Sequence, residues 1–349
     1  MHKRLELGPH FARRGLLKSA AFGAAALSAP SLLSFRALAQ DAYEVNMQLG
    51  WLASNGITGE IVADTLGYYA EEGVELSITP GGPGVDGVAS VAAGRAQVGQ
   101  LSSSPSLMLA RSAGIPVKCI AAGYQQHPFT YFSLADNPIR TPEDMIGKTI
   151  ATQPTAHILL RALLAHNEIS EDDVEIVNMG SDMNQLLTGQ AQAVTGWMTN
   201  VNALSILGDD RVDLMLWDAG IQLYANPYYV TDETLENDFD GIASFLRGSA
   251  RGWGYAFENP EEAVDMLVER YPNMDRDSEM AAMPLVLGFS FNGQTAEHGW
   301  GTMNRENWQA QIDIYAQLGQ FEDNPVPTVD DVMTLSVLDA TTDVRPRIG

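Results

Sequence analysis

The chain has 349 residues, of which 45% are hydrophobic and 18% charged, so it can bury a sizeable core and lies outside the composition of disordered segments. Its 44 Asp and Glu outnumber 20 Lys and Arg, giving a formal net charge of −24, which excludes the clustered cations that nucleic-acid and anionic-membrane binding require. The single cysteine, Cys119, can form neither an intramolecular disulfide nor a thiolate zinc cage.

Residues 1–39 read as an export signal. Arg13 and Arg14 precede Leu16, Leu17 and Lys18, an uncharged Ala-rich stretch runs from Ser19 to Phe35, and Ala37-Leu38-Ala39 offers a small-x-small cleavage site before Gln40. The apolar stretch is diluted by Gly, Ser and Pro30 and is short for a bilayer span of about 20 residues. Paired arginines of this kind point to the twin-arginine translocon as a partner during export, and to a periplasmic product with the signal removed near Ala39. The segment holds six basic residues and one acid, so the remaining chain would carry −29.

Beyond it, short strand-like runs alternate with helical patterns. Val45 to Leu49, Val74 to Ile78, Gln97 to Leu101 and Val117 to Ala122 read as strands. Gly59 to Glu72, Val85 to Ala93 and Pro105 to Ser112 read as helices, each closed by a glycine (Gly73, Gly94, Gly114). A second series follows Asn137-Pro138, with strands at Lys148 to Thr152, Val174 to Asn178 and Ala193 to Trp197 and helices at His157 to Asn167 and Asn184 to Thr188. From Phe239 the pattern is helical, over Ile242 to Ala256, Glu261 to Arg270, Ser278 to Gly288 and Asn304 to Leu318. The order predicts two α/β lobes with open, mostly parallel sheets and a helical tail that packs back onto them. In such sheets the ligand crevice lies beyond the carboxyl ends of the strands. The loops there carry hydroxyls, amides and aromatics but no Lys or Arg, which suits binding better than catalysis.

Several motifs imitate sites of known chemistry. Gly82-Pro83-Gly84-Val85-Asp86-Gly87 has the spacing of a dinucleotide fingerprint, yet no acid follows between Asp86 and Asp136 to hold a ribose, so a tight turn near a ligand is the better reading. Glu236, Asp238, Asp240 and Gly241 imitate a calcium loop, but its twelfth position is Arg247, so an acidic helix start is expected instead. His127, His157, His166 and His298 make no metal spacing, and no metal or cofactor is expected. His127 and His157 fall in candidate ligand loops, with contact to a ligand left open.

Gly50-Trp51, Gly59-Glu60-Ile61-Val62-Ala63, Gly67-Tyr68-Tyr69-Ala70-Glu71-Glu72-Gly73-Val74, Pro80-Gly81-Gly82, Gly94-Arg95-Ala96-Gln97-Val98-Gly99, Gln126-His127-Pro128 and Met145-Ile146-Gly147-Lys148-Thr149-Ile150 occur in that order. As a series across residues 44–270 they resemble the periplasmic substrate-binding proteins of ABC importers. The branch is the one that includes binders of thiamine pyrimidine precursors, with riboflavin, sulfonate and nitrate binders as relatives. The resemblance implies a periplasmic-binding-protein-like α/β fold with two lobes, two hinge crossings and a ligand cleft between them. Lobe 1 would comprise 41–134 and 235–349 and lobe 2 would comprise 135–234, with crossings near Leu134 to Asn137 and Tyr229 to Thr234.

The function implied is that of a monomeric, non-enzymatic solute-binding component, which closes on a small molecule and docks on an ABC permease in the inner membrane. A ligand-binding partner of a sensory receptor would share the same closing motion. Fungal pyrimidine-precursor synthases share the architecture as well, but they carry a cysteine-rich motif, whereas Cys119 stands alone here. Positions carried over from the resemblance put Trp51, Asn55, Thr58, Ser103 and Gln126 on the first-lobe side of the ligand, Gln153, Thr155, Trp197 and Asn200 on the second, and Tyr228 near the hinge. Pyrimidine-precursor binders tend to have a glutamate just after the segment matching Gly196-Trp197, whereas Thr199-Asn200-Val201 stand here, which points to a ligand without an exocyclic amine. Aromatics with amides and no cation favour a neutral, pyrimidine-like heteroaromatic over a sulfonate, nitrate or other small anion.

Overall fold

The computed structural model describes residues 42–82, 84–180 and 182–349, so the expected export signal at 1–39 lies outside the described residues. Ten strands build two sheets: β1 (Tyr43–Leu49), β2 (Val74–Thr79), β3 (Val98–Gln100), β4 (Val117–Tyr124), β5 (Phe129–Leu134), β6 (Thr149–Thr152), β7 (Glu175–Asn178), β8 (Ala193–Trp197), β9 (Arg211–Met215) and β10 (Ala225–Thr231). The first sheet runs β2-β1-β3-β10-β4 and the second β7-β6-β8-β5-β9. In each, a strand pairs in parallel with both neighbours, β1 with β2 and β3 and β6 with β7 and β8. In each, too, one strand runs antiparallel to the two beside it: β10 between β3 and β4, and β5 between β8 and β9. The sheets are therefore mixed, where the sequence order predicted mostly parallel ones.

Those two antiparallel strands move the crossings. β5 already belongs to the second sheet and β10 already to the first, so the chain changes lobes over 125–128 and 216–224, ahead of the expected Leu134 to Asn137 and Tyr229 to Thr234. Both strands are hard to read in the sequence for a physical reason. β5 is buried on both faces and lacks the polar–apolar alternation of a half-exposed strand, and β10 contains Pro227, which removes a ladder donor from a central strand.

The tail packs on the first lobe. The helix Phe239–Glu258 lies against the helix Thr58–Thr65, and glycines set how closely. A Cβ at Gly252 would collide with the Gly59 carbonyl, and one at Gly59 with the Trp253 ring, so this crossing admits no side chain at either position. Trp253 then stacks on Trp300, with centroids 5.9 Å apart and both rings buried, each contributing roughly 1.5–3 kcal/mol through burial. The expected helix from Gly59 to Glu72 is broken at Gly67, whose φ of 78° ends the first segment at Thr65 and starts a short turn at Tyr68. Among the described residues, no helix is long and apolar enough to cross a membrane.

Candidate functional site

A cavity of about 780 Å3 opens between the two sheets, at the carboxyl ends of β1, β3, β6 and β8. On the first-lobe side it is walled by Gly50 to Asn55, Gly84 to Val88 and Gln100 to Ser103. Gln153, Thr155, Ala156, Gly196, Trp197 and Thr199 to Ala203 form the opposite wall, His127 at one crossing and Phe129 at the start of β5 lie between them, and Met274, Ser278 and Glu279 approach from the tail. Among the described residues no Lys or Arg lines it, and its acidic side chains are Asp86 and Glu279.

Local structure fixes each group. Gly81 lets the Pro80-Gly81-Gly82 turn approach the end of β1 so closely that a Cβ there would strike the Leu49 carbonyl. The following loop, where the sequence offered a dinucleotide spacing, is a strand-to-helix turn in the cleft wall, and Asp86 caps the helix Gly87–Ala92 by accepting the Ala89 N–H at 2.9 Å. Asn55 Nδ2 donates across the cleft to the Thr199 carbonyl (3.2 Å) and also to Glu279 Oε2 (2.9 Å), so one amide ties both lobes and the tail together. Burial raises the Glu279 carboxyl above its ordinary pKa, the Asn55 bond lowers it in part, and the nearby Asp275 charge pushes it further up.

His127 is fully buried, and burial pushes its pKa down to about 3 against a smaller upward pull from the Ser102 backbone, so the ring is neutral at physiological pH. Its Nδ1 accepts the Phe129 N–H at 3.2 Å, which leaves the proton on Nε2. Among the described residues Nε2 makes no hydrogen bond of ordinary length and angle, and the upward pull on the ring comes from the nearby Ser102 backbone. Two further buried polar atoms in the cleft wall are also unpaired, Ser103 Oγ and Thr199 Oγ1. Unpaired buried atoms also occur in the core, at Trp253 Nε1, Trp308 Nε1 and Tyr131 Oη among others, so they do not by themselves mark a ligand position.

Of the expected residues, Trp51, Asn55, Ser103, Gln153, Thr155, Trp197 and Asn200 line this cavity. Thr58, Gln126 and Tyr228 stand outside it. The Thr58 hydroxyl turns back to the Asn55 carbonyl (2.8 Å) at the start of its helix, and Gln126 Nε2 lies 3.7 Å from Met215 Sδ at the crossing. Tyr228 points into the first-lobe core, where its hydroxyl donates to Glu60 Oε1 at 2.6 Å. Asn226, two residues before it, faces the cleft instead, held in a left-handed conformation with φ 49°. His157 does not line the cavity, and Trp197 has His127 edge-on at 5.5 Å and Tyr124 tilted at 5.9 Å as aromatic neighbours. Glu279 was missed: the acid sought after Gly196-Trp197 is absent there, and the tail helix Arg276–Ser290 delivers another from 80 residues further along the chain.

With this geometry in view, comparison with known proteins is informative. The family model described as NMT1/THI5 like matches residues 54–263, more than half of the chain. A riboflavin-binding protein, RibY of Chloroflexus aurantiacus, is 26% identical over 76% of this chain and 78% of its own length. A formylaminopyrimidine-binding protein of Halalkalibacterium halodurans is 26% identical over 64% of this chain and 69% of its own, and a 4-amino-5-hydroxymethyl-2-methylpyrimidine phosphate synthase of Legionella pneumophila is 22% identical over 66% and 74%. Among solved structures, the periplasmic aliphatic sulphonate binding protein SsuA of Escherichia coli superposes with a TM-score of 0.65 at 13% identity, covering 85% of this chain and 99% of that one. That likeness is one of fold, the periplasmic binding protein fold. The chain belongs to the NMT1/THI5-like family.

Proposed function

From that membership we propose that the protein is a solute-binding component of an ABC importer, which encloses a small, flat, non-anionic heteroaromatic ligand between its lobes and presents it to a permease. The observation that carries this reading is the cleft itself: a cavity of about 780 Å3 lined by Trp51 and Trp197, with hydroxyls and amides but no Lys or Arg among the described residues of its wall. A planar ring would gain stacking energy of about 0.5–1.5 kcal/mol per aromatic pair, while Ser103, His127 and Thr199 would fix its orientation. Two lobes joined by two crossings let contacts from both sides favour the closed state, so binding and shape change are linked without chemistry. Export through the twin-arginine route to the periplasm, and monomeric action there, complete the proposal.

The helix Ser104–Ser112 favours one other ligand class, because its amino end, at Ser103, faces the cleft and would attract a small anion. Its donors are depleted, however. The Ser104 N–H is taken by the Tyr224 carbonyl and Pro105 has none, while Asp86 and Glu279 repel an anion. A synthase activity lacks support at the one cysteine, since Cys119 is buried in β4, outside the cavity lining, and burial pushes its thiol far above the ordinary value.

A thermal-shift panel of pyrimidines, riboflavin, alkanesulfonates and nitrate tests the proposal. A ligand at 100 times its dissociation constant should stabilise the protein by about 2.7 kcal/mol. Stabilisation by a heteroaromatic supports the reading, and stabilisation by anions alone overturns it.

A further inference from the structure

Glu279 is the one carboxylate in the cleft that comes from the tail, and its hydrogen bonding is only half used. Oε2 accepts from Asn55, but among the described residues no hydrogen bond reaches Oε1. Among the described residues no cation pairs with it either, and the charged neighbour acting on it is another acid, Asp275. Arg276, three residues earlier on the same helix, is held by Asp265 (2.6 Å) and Glu261 (3.0 Å). A carboxylate partly withdrawn from water, with one acceptor oxygen unspent and no counter-charge, favours a donor from outside the chain.

The rest of the lining supplies no competing cation. His127 in the same wall keeps its proton on Nε2 and is a neutral ring, and no Lys or Arg appears among the described lining residues. The wall thus offers a carboxylate acceptor at Glu279 without a positive neighbour. A ring that bears an amino group or a protonated nitrogen matches it. A sulfonate or nitrate offers only acceptors, and would meet Glu279 as a like charge.

We propose that Glu279 is a specificity-determining residue, which makes the cleft select heteroaromatic ligands bearing an amino group or a protonated ring nitrogen over isosteres that lack one. Asn55 positions the carboxylate, holding Oε2 so that Oε1 is left for the ligand, and its second bond to Thr199 keeps that arrangement in register with the opposite lobe. The inference rests on the reading of the cleft as a heteroaromatic site, and it reverses the expectation of an amine-free ligand that follows from Thr199-Asn200-Val201 alone.

The test is calorimetric titration of the protein with 4-aminopyrimidine and 4-methylpyrimidine, an isostere with neither an amino group nor a ring N–H, with riboflavin as a larger heteroaromatic. The wild type should bind the amino compound roughly tenfold or more tightly than the methyl compound, the size of a hydrogen bond to a charged group. Glu279→Gln should abolish that preference while melting as the wild type does, and Glu279→Asp, which keeps the charge, should retain its direction. Equal affinity for the two compounds in the wild type, or a preference that survives Glu279→Gln, overturns the role of Glu279 and leaves the heteroaromatic cleft standing. Failure of all three compounds to bind, with saturable binding of ethanesulfonate, overturns the cleft reading and this inference together.

Discussion

Glu60 and Glu279 flank the same ring. Tyr124 is raised above its ordinary pKa by burial first, and then by the charges of these two carboxylates. Both acids are themselves raised by withdrawal from water. Glu60 is sealed in the first lobe on the helix Thr58–Thr65, accepts the Tyr228 hydroxyl, and lies beside Ser249 and Trp253, so it cross-links a helix to β10 with no opening to the cavity. Glu279 is half exposed, bonded on one oxygen, and faces the cleft. A raised carboxyl is therefore no marker of a binding site by itself. An unspent acceptor and a route for the ligand separate the two.

If the interior acid serves stability and the cleft acid serves recognition, variants in one region should leave the other's readout alone. The largest effect is expected at Glu60. Its folded pKa of about 7 lies above the ordinary 4.5, so its contribution to folding is full below about pH 4.5 and is lost as pH rises through 7, a fall of about 3 kcal/mol. Glu60→Gln, neutral at every pH, should flatten that part of the urea-unfolding profile without changing ligand preference. Stability that rises between pH 4.5 and 8 in the wild type, and no longer does so in the variant, would contradict the assignment.

Gly252→Ala should follow, losing about 1–3 kcal/mol because the new Cβ meets the Gly59 backbone, which has no rotamer to yield. Denaturation should show that loss with ligand affinity held within twofold once the protein is folded. On the cleft side, Trp51→Ala should cost roughly tenfold in affinity for a heteroaromatic ligand, about 1.4 kcal/mol, with little change in melting temperature. The smallest effect is expected at Gln126→Ala, within about 0.5 kcal/mol in binding, because that amide stands outside the lining. A loss at Gln126 as large as that at Trp51 would redraw the site.

Much of this was legible in local sequence, and the rest was not for identifiable reasons. β1, β2, β4 and β8 announce themselves by runs bounded with glycine or polar turns, and the family resemblance, together with the rule that ligands sit beyond strand ends, pointed to Trp51, Ser103, Gln153 and Trp197, which line the cavity. β5, β9 and β10 were hidden, the first and last because burial on both faces erases alternation and Pro227 speaks against a central strand. Tyr228 was assigned to the ligand, but long-range packing against Glu60 claims it for the core. Glu279 had no local signal at all. It looks like any acid in the first turn of an amphipathic helix, and only the return of the tail over the cleft, fixed by Asn55, gives it a role.

The most direct measurement of the central claim is a titration of the wild-type protein with 4-aminopyrimidine, riboflavin and ethanesulfonate side by side, followed by intrinsic tryptophan fluorescence. Saturable quenching with a heteroaromatic, weakened by Trp51→Ala, and no response to the sulfonate is the expected result. Saturable binding of ethanesulfonate alone, unaffected by Trp51→Ala, would contradict the account.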